Sequence, residues 1–544
     1  MPRDRAPIRR AAVELQLALR DDYGSIERHW LELSRRLRRN AVSAVIPTRL
    51  HTFQQLQAIA LRNHQIAEPC GVERLEFPLA RRIESNSRHA DGAGTNSHQR
   101  YDRPVEHHKK LAILVGGGPA PGINAVIGAA TIRAELEGLE VVGLRDGFEW
   151  IMQGDIDHVT RLTIDVTSRI HFRGGSHIGI SRANPTISPQ HLENAVISLL
   201  RLNVTQLITI GGDDTAFSAM KLEEKAAGRI RVVHVPKTID NDLDLPPYVN
   251  TFGYQTARHY GVEIVKNLMV DAKTTSRWYF VITMGRKAGH LALGIGKAAG
   301  ATLTLISEEF PAPPIRLKEI VDTLSGAVIK RLSYGRRDGV AIIAEGVVLE
   351  VAPDDLEGLQ EVEHDAHGHL RIAEVNIGEI LKARVNERLR AFDIKATIVA
   401  KNIGYELRCA DPIPYDMEYA RDLGYCAAKF LIAGGNAAMI STQGGHFVPV
   451  PFSQMMDRDT GRARVRLVDI GSTRYAIARR YMIRLRRDDF EDPHEIAKLA
   501  ATAHLTPEEF RKQFEFLIAS EPPPFDVDVH GEREHPAPPA ATGH

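Results

Sequence analysis

The stretch Leu111-Ala-Ile-Leu-Val-Gly-Gly-Gly-Pro-Ala-Pro-Gly122 decides the fold, and a helical pattern from Ile123 to Leu136 follows it. A short apolar run that ends in glycines is typical of a buried parallel strand. Glycines at such a turn let backbone amides approach a phosphate at the start of the helix, whose dipole favours an anion. The same turn can also serve tight packing alone, so this segment leaves both interpretations open.

Similar apolar runs recur along the chain. We predict further strands at Val141–Leu144, Gln206–Ile210, Val232–Val235, Trp278–Thr283 and Val340–Ala344. Helical stretches separate most of them, and this alternation predicts an α/β fold with doubly wound sheets. Ligands bind beyond the carboxyl ends of the strands in such sheets, so the loops there are expected to hold the chemistry.

The composition is that of a large globular protein. The 544 residues are 43% hydrophobic and 25% charged, and 69 basic side chains balance 69 acidic ones. This balance argues against a nucleic-acid-binding or membrane-surface protein. Cys70, Cys409 and Cys426 form no Cys-x-x-Cys pair or zinc spacing, and no apolar run approaches a membrane span. We therefore expect a soluble, cytoplasmic protein.

Residues 1–108 differ from the rest of the chain. Residues 1–110 contain 20 basic and 13 acidic side chains, a net charge of +7, so residues 111–544 carry −7. A charged amphipathic helix is predicted from Ile26 to Arg39, and residues 84–108 have the composition of a linker. We predict a partly helical, partly disordered extension over 1–108 and a disordered proline-rich tail over 520–544. A regulatory or oligomerisation segment, or a natural start near Lys109, are the alternatives for the extension.

Two further predicted strand ends carry acidic residues. Gly211-Gly-Asp-Asp-Thr215 places two carboxylates beside two glycines, which suits Mg²⁺ carrying a phosphate but also a plain turn. In Pro236-Lys-Thr-Ile-Asp-Asn-Asp242, Asp240 and Asp242 offer a general base and a second acidic group. Lys237 in the same segment can hold an anion.

Cationic residues follow other strands. Met284-Gly-Arg-Lys-Ala-Gly-His290 comes directly after one predicted strand. Further cationic candidates, each also compatible with a surface ion pair, are Arg182, Arg277, Lys395 and Arg408. Glycines close to Arg182, Arg286 and Arg408 favour phosphate binding for the set.

These motifs, in this order, resemble the phosphofructokinase family over about residues 109–490, and Ala344-Glu-Gly346 and Gly404-Tyr-Glu-Leu-Arg408 extend the match. The resemblance implies two Rossmann-like doubly wound domains. Residues 109–253 plus about 408–470 would bind the phosphoryl donor, and 254–407 plus about 471–519 would bind the sugar phosphate. The family transfers a phosphoryl group to the 1-hydroxyl of fructose 6-phosphate, a glycolytic reaction. A homodimer or homotetramer with shared active sites is implied as well.

The resemblance also assigns a role to each motif. Asp240 would be the base, Arg182 would neutralise charge on the moving phosphoryl group, and Asp213 would hold Mg²⁺ with Asp242 in support. The implied donor-binding residues are Gly117, Gly118, Gly212, Asp214 and Lys237. The implied sugar-phosphate-binding residues are Thr238, Asp240, Met284, Gly285, Arg286, Glu345, Tyr405 and Arg408, with Arg277 and Lys395 reaching in from a neighbouring subunit.

Two positions bear on the donor. ATP-using members usually have glycine where this chain has Asp214, and many have glycine where it has Lys237. The Asp214 carboxylate adds bulk and charge where the α-phosphate of ATP would lie, a repulsion on the order of 1–4 kcal/mol. Lys237 can pair with diphosphate. The chain thus resembles the diphosphate-dependent branch, although Asn241 keeps a form common to both branches, and an ATP-dependent enzyme is the nearest alternative.

Two more distant functions fit the same residues less well. A non-catalytic regulatory subunit would be expected to lose its acidic site, which this chain keeps. A dinucleotide-binding oxidoreductase would need a G-x-G-x-x-G pattern, which is absent at Gly116–Gly122. The basic segment after Leu431 is predicted to be a solvated helix or a subunit interface, with an anion site as the alternative. Its arginines are Arg462, Arg464, Arg466, Arg479, Arg480, Arg486 and Arg487.

Overall fold

The computed structural model describes residues 109–246, 249–310, 314–356, 377–455, 464–519 and 521–522. The chain separates into residues 1–102 and 103–544, and every described residue belongs to the second unit. The predicted helix at Ile26–Arg39, the linker at 84–108 and the tail beyond 522 lie outside the described residues.

Twelve strands and seventeen helices are found in the described part of the chain. The strands are β1 Lys110–Val115, β2 Glu140–Leu144, β3 Val159–Leu162, β4 Val204–Gly211, β5 Arg231–Thr238, β6 Phe252–Gly253, β7 Trp278–Thr283, β8 Leu303–Leu305, β9 Gly339–Ala344, β10 Ile398–Ile403, β11 Ala438–Gln443 and β12 His446–Pro451. The helices are α1 Ile123–Glu135, α2 Ile164–Thr167, α3 Pro189–Arg201, α4 Asp213–Ala226, α5 Tyr254–Thr275, α6 His290–Ala299, α7 Leu317–Ser333, α8 Gly346–Leu349, α9 Pro353–Leu356, α10 Ile377–Arg390, α11 Tyr405–Arg408, α12 Pro414–Ile432, α13 Phe452–Met455, α14 Thr473–Tyr481, α15 Arg487–Glu491, α16 Pro493–Thr502 and α17 Pro507–Phe514.

The first sheet has the strand order β12-β11-β5-β4-β1-β2-β3, with β6 paired to β5. Its centre is parallel, whereas the outermost pairs, β2–β3 and β11–β12, are antiparallel. Both faces are covered, because alternate residues of a strand point to opposite sides. Leu111 and Ile113 pack in one cluster with α1 and α12, while Ala112 and Leu114 pack in another with α3 and α4.

The second sheet has the order β10-β7-β9-β8 and is parallel throughout. One apolar cluster surrounds it and draws in residues from α5, α6, α7 and α10. Helices near the C-terminus join the same cluster through Tyr475, Phe490, Phe510 and Phe514. The strands of the first sheet thus come from residues 110–253 and 438–451, and those of the second from residues 278–403. The predicted domain boundaries near 253, 407 and 470 stay predictions.

Several helix starts are written into the sequence. The Ser188 hydroxyl accepts from the amide of Gln190 at 3.3 Å, and Pro189 occupies the first turn of α3. At α17 the Thr506 hydroxyl and the Glu509 carboxylate form a reciprocal capping box. Such local signals fix where the helices begin without reference to the rest of the fold.

The predicted α/β architecture is confirmed, and each predicted strand is present within a few residues of its expected bounds. Six strands were not predicted: β3, β6, β8, β10, β11 and β12. Most of them carry weak apolar signals because they lie at sheet edges or are short; β8 has three residues. In β12, Pro449 and Pro451 argue against a strand in the interior of a sheet but are compatible with an edge.

The basic segment near the C-terminus is only partly solvated. Arg479 and Arg484 are buried, and both donate to the Glu309 carboxylate, at 3.3 and 2.6 Å. The Tyr475 hydroxyl donates to the same carboxylate oxygen at 2.8 Å. The prediction of a solvated helix is therefore wrong for Arg479, whose charge is neutralised inside the protein.

Glu309→Gln should destabilise the protein strongly. Removing the carboxylate leaves two buried guanidinium groups without a counter-charge, which costs about 3–5 kcal/mol. We expect the free energy of unfolding from denaturant titration to fall by an amount of this order. The matched control is Glu224→Gln, which breaks the exposed pair with Lys221 at 2.9 Å and should cost less than about 1 kcal/mol. Equal effects of the two substitutions would contradict the assignment.

Candidate active site

The three glycine- or aspartate-rich segments meet at one edge of the first sheet. They follow β1, β4 and β5, which are neighbouring parallel strands, so their carboxyl ends lie side by side. The amide of Gly116 donates to the carbonyl of Ile210 at 2.9 Å, and the amide of Gly117 donates to Ser181 at 2.9 Å. The chain after β1 is thereby fixed between the Gly211 segment and the segment that carries Arg182.

Gly117 is favoured by its backbone conformation, and Gly118 leaves room for a cation. Gly117 has a φ of 81°, which side chains rarely tolerate. A side chain at Gly118 would collide with the guanidinium of Arg408. Glycine at both positions therefore keeps backbone groups, rather than side chains, next to the cations of the site.

Lys237 lies at the centre of this edge. Its side chain is 4% exposed, and its ammonium donates to the carbonyl of Gly118. Burial, with the positive charge of Arg408 nearby, lowers the pKa of Lys237 to about 8, although Asp240 and Asp242 act in the opposite direction. A lysine held in this way is ready to exchange a weak carbonyl contact for a phosphate oxygen.

Asp240 and Asp242 lie on the loop after β5. Burial raises the pKa of Asp240 far above that of an ordinary carboxyl, and the charges of Asp242 and Glu345 raise it further. Burial and Asp213 likewise raise the pKa of Asp242. The hydroxyl of Thr238 accepts from the Asp240 amide at 3.0 Å and orders the turn. A carboxyl with a raised pKa beside other charged groups is typical of a catalytic base.

Asp213 and Asp214 open helix α4. Asp213 forms an ion pair with Lys287, which comes from the loop after β7 in the second sheet. Although burial opposes its charge, Asp213, Asp214 and Asp242 raise the pKa of Lys287. Partial burial of the carboxyl and then the charge of Asp213 raise the pKa of Asp214, although part of the residue remains open to solvent. Acidic groups thus accumulate at a helix N-terminus, where negative charge is favoured.

The imidazole of His234 supports this loop from inside the sheet. Its Nε2–H donates to the carbonyl of Gly211 at 3.0 Å, so its Nδ1 accepts from the hydroxyl of Thr209 at 2.9 Å. Burial lowers the pKa of His234 to about 3, and the ring therefore stays neutral and keeps this tautomer. Gly212, the N-cap of α4, follows directly in the chain.

The second sheet supplies the facing loops. Met284, Gly285 and Arg286 follow β7, and Glu345 follows the adjacent strand β9. The Gly285 amide donates to the Glu345 carboxylate at 3.3 Å and ties the two strand ends together. Burial raises the pKa of Glu345, against the effect of the Gly285 amide and Arg286. Arg286 itself is exposed. We call the space between these loops and the loops after β1, β4 and β5 the crevice.

Arg408 reaches across to the first sheet. Its guanidinium lies over the Tyr405 ring, 5.4 Å from the centroid, and against Gly118. Burial, and then the charge of Arg182, lower the pKa of Arg408. Arg408 and Lys237 therefore both lie next to Gly118, and Arg182 is close enough to affect the pKa of both.

Arg277 and Lys395 are not brought to this crevice within one chain. Arg277 precedes β7 and Lys395 precedes β10, and these strands are parallel neighbours. Both residues therefore lie at the amino edge of the second sheet, whereas the Met284 loop lies at the carboxyl edge. Lys395 is exposed, and Arg277 pairs with Asp271 at 3.9 Å. Their predicted contribution to a neighbouring subunit's site stays a prediction.

Three residues of the site region were not assigned from sequence. Lys287 lies within the Met284–His290 motif but was given no role. His234 is inside β5 and looks like an ordinary core residue. Arg466 was seen only as part of a basic segment; its side chain binds the loop of Asn241. The one available signal was the position of Lys287 directly after Arg286.

Two kinds of feature are absent from the described residues: a membrane-spanning helix and a cluster of metal-ligating side chains. None of the helices that the structure describes is long and apolar enough to cross a membrane. Over the same ranges, no group of three or more His, Cys, Asp or Glu side chains is arranged to hold a metal ion. What the crevice combines instead is carboxylates, cations and glycine amides at parallel strand ends.

These features define a class: an α/β phosphotransferase in which positioning and charge neutralisation do the chemistry. The family model described as Phosphofructokinase matches residues 110–431. This chain belongs to the phosphofructokinase family.

Curated relatives are similar over most of the described chain. It is 51% identical over 411 residues to the pyrophosphate–fructose 6-phosphate 1-phosphotransferase of Thermotoga maritima, covering 75% of this chain and 98% of that one. It is 47% identical over 417 residues to the protein of the same name from Naegleria fowleri, covering 75% and 95%. An ATP-dependent 6-phosphofructokinase of Streptomyces coelicolor is 31% identical over 336 residues, covering 62% and 91%.

Solved structures agree on the fold. The pyrophosphate-dependent phosphofructokinase of Marinobacter aquaeolei gives a TM-score of 0.52 at 18% identity, covering 77% of this chain and 94% of that chain. Saccharomyces cerevisiae phosphofructokinase gives a TM-score of 0.52 at 19% identity, covering 75% and 50%.

Lys237 should titrate well below ordinary lysines. In protein labelled at lysine Cε, we expect one NMR resonance to titrate near pH 8, because burial disfavours the charged amine. The resonance should be absent from Lys237→Met. Lys221→Met, at an exposed site, should leave the resonance near pH 8 in place. If the resonance lost in Lys237→Met titrated with the bulk of the lysines, the burial of this amine would be wrong.

Proposed function

We propose that the protein transfers a phosphoryl group reversibly from diphosphate to the 1-hydroxyl of fructose 6-phosphate, giving fructose 1,6-bisphosphate and phosphate. The observation that carries this proposal is the buried ammonium of Lys237 at Gly118, beside Asp240 and Arg408. The names of the relatives at 51% and 47% identity support it. The reaction breaks the phosphoanhydride bond of diphosphate and forms one phosphate ester. Because no nucleotide takes part, we expect it to run in both directions.

Asp240 is the proposed base. Its carboxylate takes the proton of the 1-hydroxyl as that oxygen bonds to the terminal phosphorus of diphosphate. The bond from this phosphorus to the bridging oxygen breaks, and phosphate leaves. A raised pKa makes Asp240 a stronger base than an ordinary carboxylate, because the proton it gains removes a buried charge and relieves repulsion from Asp242 and Glu345.

Cationic residues would bind the phosphoryl donor and neutralise the charge on the phosphoryl group during transfer. Lys237 and Arg408, both next to Gly118, would neutralise the departing phosphate, with the amides of Gly117 and Gly118 beside them. Arg182 is the proposed neutraliser of the transferred group. Little covalent work is left to the protein in such a transfer, so fixed charges and alignment supply most of the acceleration.

The residues present fit a magnesium ion carried in with diphosphate. Mg²⁺ commonly keeps several waters and binds one or two carboxylates plus substrate phosphates. Asp213 would hold it with support from Asp242, and the ammonium of Lys287 already stands at Asp213 as a cation. When bound, Mg²⁺ supplies positive charge to the diphosphate oxygens. The raised pKa values of Asp214 and Asp242 mark the negative charge that a cation there would offset.

The facing loops would hold the sugar phosphate. We assign Thr238, Met284, Gly285, Arg286, Glu345, Tyr405 and Arg408 to this role; Thr238 bonds the Asp240 amide, Gly285 bonds Glu345, and Arg408 lies over Tyr405. We propose that Arg277 and Lys395 of a neighbouring subunit complete the 6-phosphate site in a homodimer or homotetramer. Their place at the opposite edge of the second sheet leaves them no role in their own chain's crevice.

The donor is tested by assaying the purified full-length protein with Mg²⁺ and each donor. We expect kcat/KM with diphosphate to exceed that with ATP. A higher kcat/KM with ATP would favour the ATP-dependent alternative, which the Streptomyces coelicolor relative represents.

Asp214→Gly should lower the diphosphate preference by roughly tenfold or more, since both bulk and charge are removed. Asp214→Asn keeps the bulk and removes the charge, so it separates the two causes. If neither substitution changed the preference, Asp214 would not be the determinant.

Asp240→Asn should keep ligand binding and lose turnover. We expect kcat to fall roughly 10²–10⁴-fold, because the amide cannot accept the proton. The dissociation constant of fructose 6-phosphate, measured by calorimetry, should change little. The matched control is Asp244→Asn on the same loop. The Asp244 carboxylate pairs with Arg464 at a distance of 2.7 Å. Turnover near normal in Asp240→Asn would remove this residue as the base.

A further inference from the structure

A short segment near the C-terminus lies along the loop of the acidic residues. We name residues 464–468 the C-terminal strap. Val465 forms an antiparallel bridge with Leu243, and the amide of Arg466 donates to the carbonyl of Asp242 at 2.8 Å. The strap is thus bonded to the backbone of a proposed active-site residue.

The side chain of Arg466 binds the same loop with every nitrogen. Nε and Nη2 donate to the carbonyl of Asn241 at 3.1 and 3.0 Å, and Nη2 donates to Asn241 Oδ1 at 2.5 Å. Nη1 donates to the carbonyl of Val249 at 2.6 Å. The planar guanidinium therefore joins the two ends of the loop that follows β5, a fork geometry that lysine cannot reproduce.

Asn241 is the residue whose conformation sets the direction of its neighbours. It has a φ of 57°, in the left-handed region, and it stands between Asp240 and Asp242. Its Oδ1 also accepts from the amide of Thr251 at 3.0 Å. Because the chain direction of both carboxylates depends on this turn, the bonds that hold Asn241 hold the carboxylates as well.

The other end of the strap is attached to the second sheet. The carbonyl of Arg466 accepts from His290 Nε2 at 3.1 Å. Glu308 Oε1 accepts from the amide of Val468 at 3.0 Å and from the amide of Gly289 at 2.8 Å. His290 and Gly289 end the loop that begins with Met284. One short segment therefore connects the acidic loop of the first sheet with the sugar-side loop of the second.

We propose that Arg466 is a positioning residue: it fixes Asp240 and Asp242 through Asn241, and the strap sets their place relative to the Met284–His290 loop. Misplacement of reacting groups by about 1 Å can cost roughly a hundredfold in rate. The inference rests on the proposed function of Asp240 for its kinetic consequence, but its structural consequence does not depend on any activity.

The structural test is hydrogen–deuterium exchange without substrate. In Arg466→Met and Arg466→Lys we expect faster exchange of the amides of residues 238–246 and 249–252, because the fork to Asn241 and Val249 is lost. The matched control is Arg464→Met, two residues away on the strap, which breaks the exposed pair with Asp244 and an exposed bond to the carbonyl of Gln454 but leaves Asn241 and Val249 bound. Unchanged exchange in both Arg466 variants would overturn the proposal, whatever the enzyme's donor proves to be.

The kinetic test separates geometry from charge. We expect kcat to fall roughly ten- to a hundredfold in both Arg466 variants, with KM for fructose 6-phosphate changed less than about threefold. Arg466→Lys keeps the positive charge near Asp242, so full rescue by lysine would show that charge alone matters and would overturn the positioning role. Melting temperatures identify unfolding, and if Arg466→Met does not fold, Arg466→Lys carries the test. Normal kcat in a folded Arg466→Lys with a loosened loop would likewise overturn the role.

Discussion

The site depends on the balance of charge around one buried ammonium. Lys237 lies among carboxylates that raise one another's pKa and beside arginines that lower its own. Neither the buried carboxylates nor the buried cations would be stable alone, since an unpaired buried charge costs several kcal/mol. The parallel order of β1, β4 and β5 makes the balance possible, because it places a glycine turn, a helix start and an acidic loop side by side.

The site is also divided between two sheets, and polar contacts link their loops. Asp213 and Lys287 form one link, and the C-terminal strap, through His290 and Glu308, forms another. Ion pairs and hydrogen bonds of this kind can be exchanged for bonds to phosphate at little net cost. Each sheet also has apolar clusters of its own, and Ala120 and Ile239 from loops of the first sheet join the cluster around the second. The pair of Asp213 with Lys287 can therefore be exchanged for bonds to substrate, while the strap keeps the two loops in place.

The sequence was informative wherever a local pattern carries the structure. The apolar runs identified the central strands, and the motifs after them identified Asp213, Asp240 and Lys237 as neighbours, because adjacent parallel strands end at one edge. Edge strands such as β10 were missed, since their exposed faces lack an apolar signal. Arg466 could not be assigned, because its partners lie more than 200 positions earlier in the chain. Composition shows that a segment is basic but not whether its charges face water, a carboxylate or a carbonyl.

The outermost strand of the first sheet has a further consequence. Strand β12 is largely exposed and would offer a template for the strand of another molecule. Pro449 and Pro451 pair opposite Ile440 and Ala438 of β11, so the missing N–H groups fall where the inner ladder does not need them. Among the described residues no strand pairs with the outer side of β12, and that side lacks two alternate donors. Growth of the sheet by edge-to-edge stacking is blocked there, which protects a sheet with an apolar parallel centre from aggregation.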